Sequence, residues 1–146
     1  FLILQGIETL ALRMDRICDN SLALAKYLQK HPKVKWVNYA GLPDNASHAL
    51  AQKYMGGRAS GILTFGIDGG RPAGARFQDA LKLFTRLVNI GDAKSLATHP
   101  ASTTHRQLSP EEMAKAGVSE DAVRLSVGIE HIDDLLADLE GALASV

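Results

Sequence analysis

Apolar side chains recur at helical spacing from the start of the chain: Ile3, Ile7, Leu10, Met14 and Ile17, then Ala25 and Leu28, broken only by Ser21. The spacing predicts one long helix over residues 1–30. Gly6 lies inside it at a cost of about 1 kcal/mol relative to alanine, which predicts a bend or a close helix contact there. Arg13 and Glu8 read as structural pairing residues. Pro32 drives His31 out of the helical region and ends the helix. Residues 34–39 read as a short strand with Val34 and Trp36 on one face and Trp36 in the core. Gly41, Pro43 and Asp44 form a turn, and residues 48–55 a short helix with His48 solvated near its start. A strand over 61–67 puts Leu63, Phe65 and Ile67 on one face and Ile62 and Thr64 on the other. After the turn at Asp68-Gly69-Gly70, Pro72 opens a helix with a buried stripe of Phe77, Leu81 and Phe84, Ala80 beside them.

A short strand over 87–90 and a glycine turn at Gly91 follow, then a polar loop broken at Pro100. Ser109-Pro110-Glu111-Glu112 is a capping box with proline at the first helical position, and Gly117 ends that helix. Residues 123–129 alternate as a strand, with Val123, Leu125, Val127 and Ile129 opposite Arg124, Ser126 and Gly128. His131 precedes a last helix with Asp133 and Asp134 in its first turn, where they favour the helix dipole, and an apolar face of Leu135, Leu136, Leu139 and Leu143. Single-stripe helices with alternating strands predict an α+β fold, a mostly antiparallel sheet with helices packed on one face.

Two features resist a core-building account. Between Asp92 and His105 the side chains are small, hydroxylated or imidazole, and Arg124 stands in an otherwise apolar strand. The guanidinium fork suits a carboxylate or phosphate, in a contact of about 1.5–3 kcal/mol. A buried ion pair with one of the chain's own acids explains Arg124 equally well. His99 and His105 match neither a helical metal pair nor HExxH, and no acid completes a hydrolase arrangement with Ser102; both read as loop-ordering residues. Gly56-Gly57-Arg58 lacks the spacing and the Lys-Ser/Thr ending of a phosphate loop and reads as a flexible lead into the next strand.

Length and composition narrow the partners. The 146 residues make one domain, and 46% hydrophobic with 22% charged residues is ordinary globular composition. Sixteen basic residues balance sixteen acidic ones, so bulk charge favours neither nucleic acid nor an anionic membrane, and the expected partner is a small molecule. A single cysteine, Cys18, rules out an intrachain disulfide and Cys-x-x-Cys metal sites, and its place in the first amphipathic stretch reads as buried and inert. No apolar run approaches the ~20 residues of a spanning helix. No export signal stands out, a cytoplasmic setting fits, and Asn45-Ala46-Ser47 is then an accidental sequon.

NIGDAKSLATHPASTTH, followed by VRLSVGIEHIDDLLADLEGAL, resembles the C-terminal domain of the Cys/Met-metabolism family of pyridoxal 5'-phosphate (PLP) enzymes. The likeness continues upstream through GIETLALRMDRICDNSLALAKYL, WVNYAGLP and SGILTFGI, and so covers nearly the whole chain. The resemblance implies the small C-terminal domain of a fold-type I PLP-dependent transferase, residues 1–146, with 1–30 the long helix leaving a large domain that this sequence lacks. It implies that Arg124 holds the α-carboxylate of an amino-acid substrate, that Asn89 helps bind the same carboxylate, and that Thr104 lies near that arginine. Asparagine at 89 in an NIGDAKSL setting looks like the O-acetylhomoserine sulfhydrylase branch, where most lyase branches carry serine; Val88 is unlike the branches that place an acid there. The implied reaction is γ-replacement of acetate by sulfide or a small thiol, giving homocysteine or methionine. Methionine γ-lyase and cystathionine γ-synthase remain alternatives in the family, and a non-catalytic amino-acid-binding or interaction module remains one outside it.

The family's Schiff-base lysine and most of its cofactor contacts belong to the large domain. Lys94 occupies a variable position and is not expected to replace that lysine, so the chain alone is expected to be inactive. The full enzyme is expected to be a cytoplasmic homotetramer.

Overall fold

The computed structural model describes residues 1–146, apart from the side chain of Pro110. In chain order its elements are α1 (Leu2–Glu8), α2 (Leu10–Lys30), β1 (Val34–Asn38), α3 (His48–Met55), β2 (Ile62–Ile67), α4 (Gly70–Ala80), β3 (Thr85–Arg86), β4 (Leu96–Thr98), a 3-10 turn (Pro100–Ser102), α5 (Pro110–Lys115), β5 (Ala122–Ser126) and α6 (Ile132–Ala144). The strands form one sheet in the order β1-β2-β5-β4-β3, antiparallel except for the β3–β4 pair. This is the expected α+β architecture.

Register explains which face is covered. Leu63 pairs with Leu125, Phe65 with Val123 and Ala97 with Leu125, so these side chains share one face. They join one core with Leu24, Ala25 and Leu28 of α2, Phe77 of α4 and Leu135, Leu139 and Leu143 of α6. Phe65 and Phe77 meet edge-to-face at 5.7 Å between ring centroids, a favoured aromatic geometry. Lys33 locks the end of α6 by donating to the carbonyls of Leu143 (2.8 Å) and Val146 (2.7 Å), which places a cation where the helix leaves its acceptors open.

Several expectations are corrected. The helix over 1–30 is broken at Thr9, not bent at Gly6, and its first turns bury nothing: Ile3 is 79% and Ile7 56% exposed, and the stripe reaches the core only from Ile17 onward. Arg13 donates to the Gly6 carbonyl (2.6 Å) and the Thr9 hydroxyl (3.4 Å), not to Glu8. Trp36 lies outside the core, because a register shift between Val34 and Trp36 turns it outward, where its indole N–H donates to Asp121 at 3.2 Å. His48 is half-buried, its Nδ1 3.1 Å from the Ala40 carbonyl.

α4 stops at Ala80, short of Phe84. Asp138 on α6 accepts the N–H groups of Lys82 (2.8 Å), Leu83 (2.9 Å) and Phe84 (2.9 Å), which makes a turn more favourable than continued helix and drops Phe84 into the core. The strand expected over 87–90 lies at Thr85–Arg86 instead, and residues 87–90 run on as an exposed strap. β4 falls inside the segment read as a polar loop. The strand over 123–129 ends at Ser126, and Ile129 is 38% exposed. The capping box at Ser109 and Glu112 forms as expected, and Gly117 follows α5 at φ 70°. Cys18 is buried.

Candidate substrate-binding face

The same register that sends Leu63, Val123 and Leu125 into the core sends their neighbours to the opposite face. Asn38 pairs with Thr64, Thr64 with Arg124 and Arg124 with Thr98, a polar row across four strands in which Arg124 is central. The flanking threonines are short, so the longer guanidinium stands above them. Arg124 is half-buried, and its Nη2 donates to the backbone carbonyl of Asn89 at 3.3 Å. Thr98 donates to the carbonyl of Leu87 at 3.1 Å, so two adjacent members of the row hold the strap. Among the described residues, no carboxylate forms an ion pair with Arg124. The alternative of an internal ion pair therefore finds no partner, and most of the five guanidinium donors stay open.

The sequence-selected residues come together unequally. Arg124 and Asn89 are neighbours, but through the Asn89 backbone; the Asn89 side chain turns to accept the N–H of Ile90 at 2.8 Å. Thr104 is exposed and sits 2.8 Å from His105 Nδ1. An open cleft of about 550 Å3 runs between α4 and the strap, lined by Gln78, Asp79, Arg86, Val88 and Thr98 among others. Arg86 and Asp79 form an ion pair in it, and Arg124, Asn89 and Thr104 are not among its walls. Thr98 escaped the sequence reading because β4 did; its spacing two strands from Thr64 becomes visible only with the register.

His99 orders the loop after β4, as expected. It is fully buried, with Nε2 2.9 Å from the Glu120 carbonyl and Nδ1 2.8 Å from Ser102 Oγ. A carbonyl only accepts, so Nε2 carries the proton and Nδ1 is free to accept from the Ser102 hydroxyl. Gly74 on α4 packs against the ring, where a Cβ would collide with it. Burial pushes the imidazole pKa below its ordinary 6.5, against the opposing pull of the Glu120 carbonyl. The unfolded chain then binds the proton first. Stability is expected to fall as the pH drops below 6.5 towards the depressed folded value, by at most about 1.4 kcal/mol per pH unit from this group. Urea unfolding from pH 7 to 5 should show a shallower fall in His99→Gln; equal slopes would remove His99 as the cause.

Seven of the eight lysines, Lys94 included, are exposed, while half-buried Lys33 is committed to the end of α6. Among the described residues no helix is long and apolar enough to cross a membrane.

Comparison with known proteins identifies the family. The model of the family described as Cys/Met metabolism PLP-dependent enzyme matches residues 1–144. An O-acetyl-L-homoserine sulfhydrylase of Thermus thermophilus is 55% identical over 144 residues, which is 99% of this chain and 34% of the relative. An L-methionine gamma-lyase of Pseudomonas deceptionensis is 51% identical over 145 residues, 99% of this chain and 36% of the relative. A crystal structure of a Campylobacter jejuni protein described as an O-acetylhomoserine (thiol)-lyase, with N'-pyridoxyl-lysine-5'-monophosphate at its position 205, superposes with a TM-score of 0.90 at 45% identity, covering 99% of this chain and 34% of that one. The chain thus spans about a third of the length of the relatives it matches. With nearly its whole length matched, the chain belongs to the Cys/Met-metabolism family of PLP-dependent enzymes.

Proposed function

We propose that this chain is the substrate-carboxylate-binding domain of a PLP-dependent O-acetylhomoserine sulfhydrylase, part of a longer protein whose large domain carries the cofactor lysine. The observation that carries the reading is Arg124: a half-buried residue in a polar row, its guanidinium bonded to one backbone carbonyl and, among the described residues, to no carboxylate. Such a cation fits an external carboxylate, which its planar fork can grip through two parallel hydrogen bonds. The Asn89 carbonyl fixes one edge of the fork and leaves the side-chain amide hydrogens of Asn89 free to donate to the same carboxylate. Thr104 is assigned a hydroxyl contact at the rim of that site.

PLP, held by the large domain, supplies the electron sink for the chemistry. The residues of this chain act by geometry. Clamping the α-carboxylate would restrict rotation about the substrate's Cα–N bond and so orient the α-hydrogen for removal. Acetate leaves Cγ, and sulfide or a small thiol takes its place. The setting that goes with this reading is a cytoplasmic homotetramer, and the isolated chain is inactive for want of the lysine.

Methionine γ-lyase is the second reading, favoured by the 51% identity to the Pseudomonas deceptionensis relative. Assays of the full-length enzyme with O-acetyl-L-homoserine plus sulfide, and with L-methionine alone, separate the two. Sulfide-dependent acetate release at least about tenfold above methionine breakdown, a gap of about 1.4 kcal/mol, is expected. Faster release of methanethiol from methionine would overturn the sulfhydrylase assignment.

A further inference from the structure

We infer that Glu130 is a positioning residue for the Arg124 clamp, a carboxylate staple that sets the strap carrying Asn89 against the strand carrying Arg124. The inference rests on the clamp proposed above. Glu130 is half-buried just beyond the end of β5, and its two oxygens take both donors of Ser95: Oε1 accepts the Ser95 N–H at 2.6 Å and Oε2 accepts the hydroxyl at 2.8 Å. The Ser95 hydroxyl oxygen in turn accepts the N–H of Gly128 at 2.8 Å, so one buried serine ties both ends of the staple.

The surroundings leave this joint little play. The Ile129 N–H donates to the Ala93 carbonyl at 3.0 Å, and the Thr85 N–H donates to the Ser95 carbonyl at 3.0 Å. Asn20 on α2 donates to the carbonyls of Gly128 (3.1 Å) and Glu130 (2.9 Å), fixing the staple to the helix layer. At Gly128 a Cβ would run into the Ala93 carbonyl and the Glu130 carboxylate, so the two segments are in direct backbone contact. Ser95 immediately precedes β4, which leads to Thr98, and the loop behind it leads back through Gly91 to Asn89; Gly128 lies four positions beyond Arg124. A carboxylate binding two donors is among the stronger polar contacts, and it fixes Ser95, whose carbonyl holds Thr85 of the two-residue β3. Without them the strap would shift relative to the guanidinium, and misplacement near 1 Å costs up to about 100-fold in an oriented reaction.

The test uses the full-length, cofactor-loaded enzyme with O-acetyl-L-homoserine at saturating sulfide. Glu130→Ala is expected to raise KM for O-acetyl-L-homoserine at least about tenfold. The same substitution placed on an Arg124→Ala background is expected to raise KM by less than about twofold, because residues acting on one contact are not additive. Glu130→Gln, which keeps an acceptor for the Ser95 N–H, should recover part of the loss. Ser95→Ala, which deletes one hydroxyl, gives the same comparison should Glu130→Ala fail to fold. Equal KM increases on the two backgrounds, alongside a clear Arg124→Ala effect, would overturn the staple alone. An Arg124→Ala enzyme with unchanged KM and kcat would overturn the clamp and the staple with it.

Discussion

Replacing Arg124 by alanine in the full-length enzyme is expected to lower kcat/KM by about 2–5 kcal/mol, roughly 30-fold to several thousand-fold, while the cofactor absorbance is retained. The size follows from what the site leaves open. The guanidinium spends one bond on the Asn89 carbonyl, and its remaining donors have no carboxylate partner among the described residues. The variant should fold normally, because Arg124 points away from the core that its neighbours Val123 and Leu125 fill. Arg124→Lys should restore little, since an ammonium cannot form the two parallel bonds. Steady-state kinetics with the absorption spectrum of the bound cofactor checks both halves; activity within a few fold of wild type would remove Arg124 from the substrate site.

The largest effect on stability is expected at Phe77. Its ring is fully buried, edge-on to Phe65, at the point where α4 meets the centre of the sheet. Phe77→Ala should cost about 3–5 kcal/mol, the lost transfer energy plus the cavity left behind. That is a large share of the ~5–15 kcal/mol that holds a typical domain together. Leu50→Ala, at an apolar site 57% exposed on α3, should stay within about 0.5 kcal/mol. Urea unfolding of both variants in the full-length protein makes the comparison, and similar midpoint shifts for the two would contradict the packing described here.

Residues with local explanations were legible in the sequence. The capping box at Ser109 and Glu112, the alternation of Leu63, Phe65 and Ile67 and the stripe of α6 each depend on neighbours a few positions away, and each forms as expected. Features decided by distant partners were not. Asp138 ends α4 from 54 or more positions along the chain, and the Val34–Trp36 bulge that expels Trp36 depends on its pairing with β2. β4 was hidden because a strand of three residues buried on both faces has no alternation to show, and its flanking Ser95 and His99 resemble loop residues until their buried partners are known.

The site divides in the same way. Arg124 stood out as a charge in an apolar strand, and the family resemblance named Asn89 beside it. That they touch through the Asn89 carbonyl, with Thr98 fastening the strap and Glu130 fastening Ser95, is set by strand register and could not be read from spacing. The apolar first turns of α1 belong to another class: their helical periodicity was legible, but among the described residues they bury nothing.

The most direct test of the clamp compares O-acetyl-L-homoserine with its α-carboxamide, which keeps the shape and loses the charge, in wild-type and Arg124→Ala full-length enzyme. Wild type should favour the carboxylate by at least about 30-fold in kcat/KM, equivalent to about 2 kcal/mol, and the variant should lose most of that preference. An Arg124→Ala enzyme that discriminates between the two substrates as strongly as wild type would contradict the account.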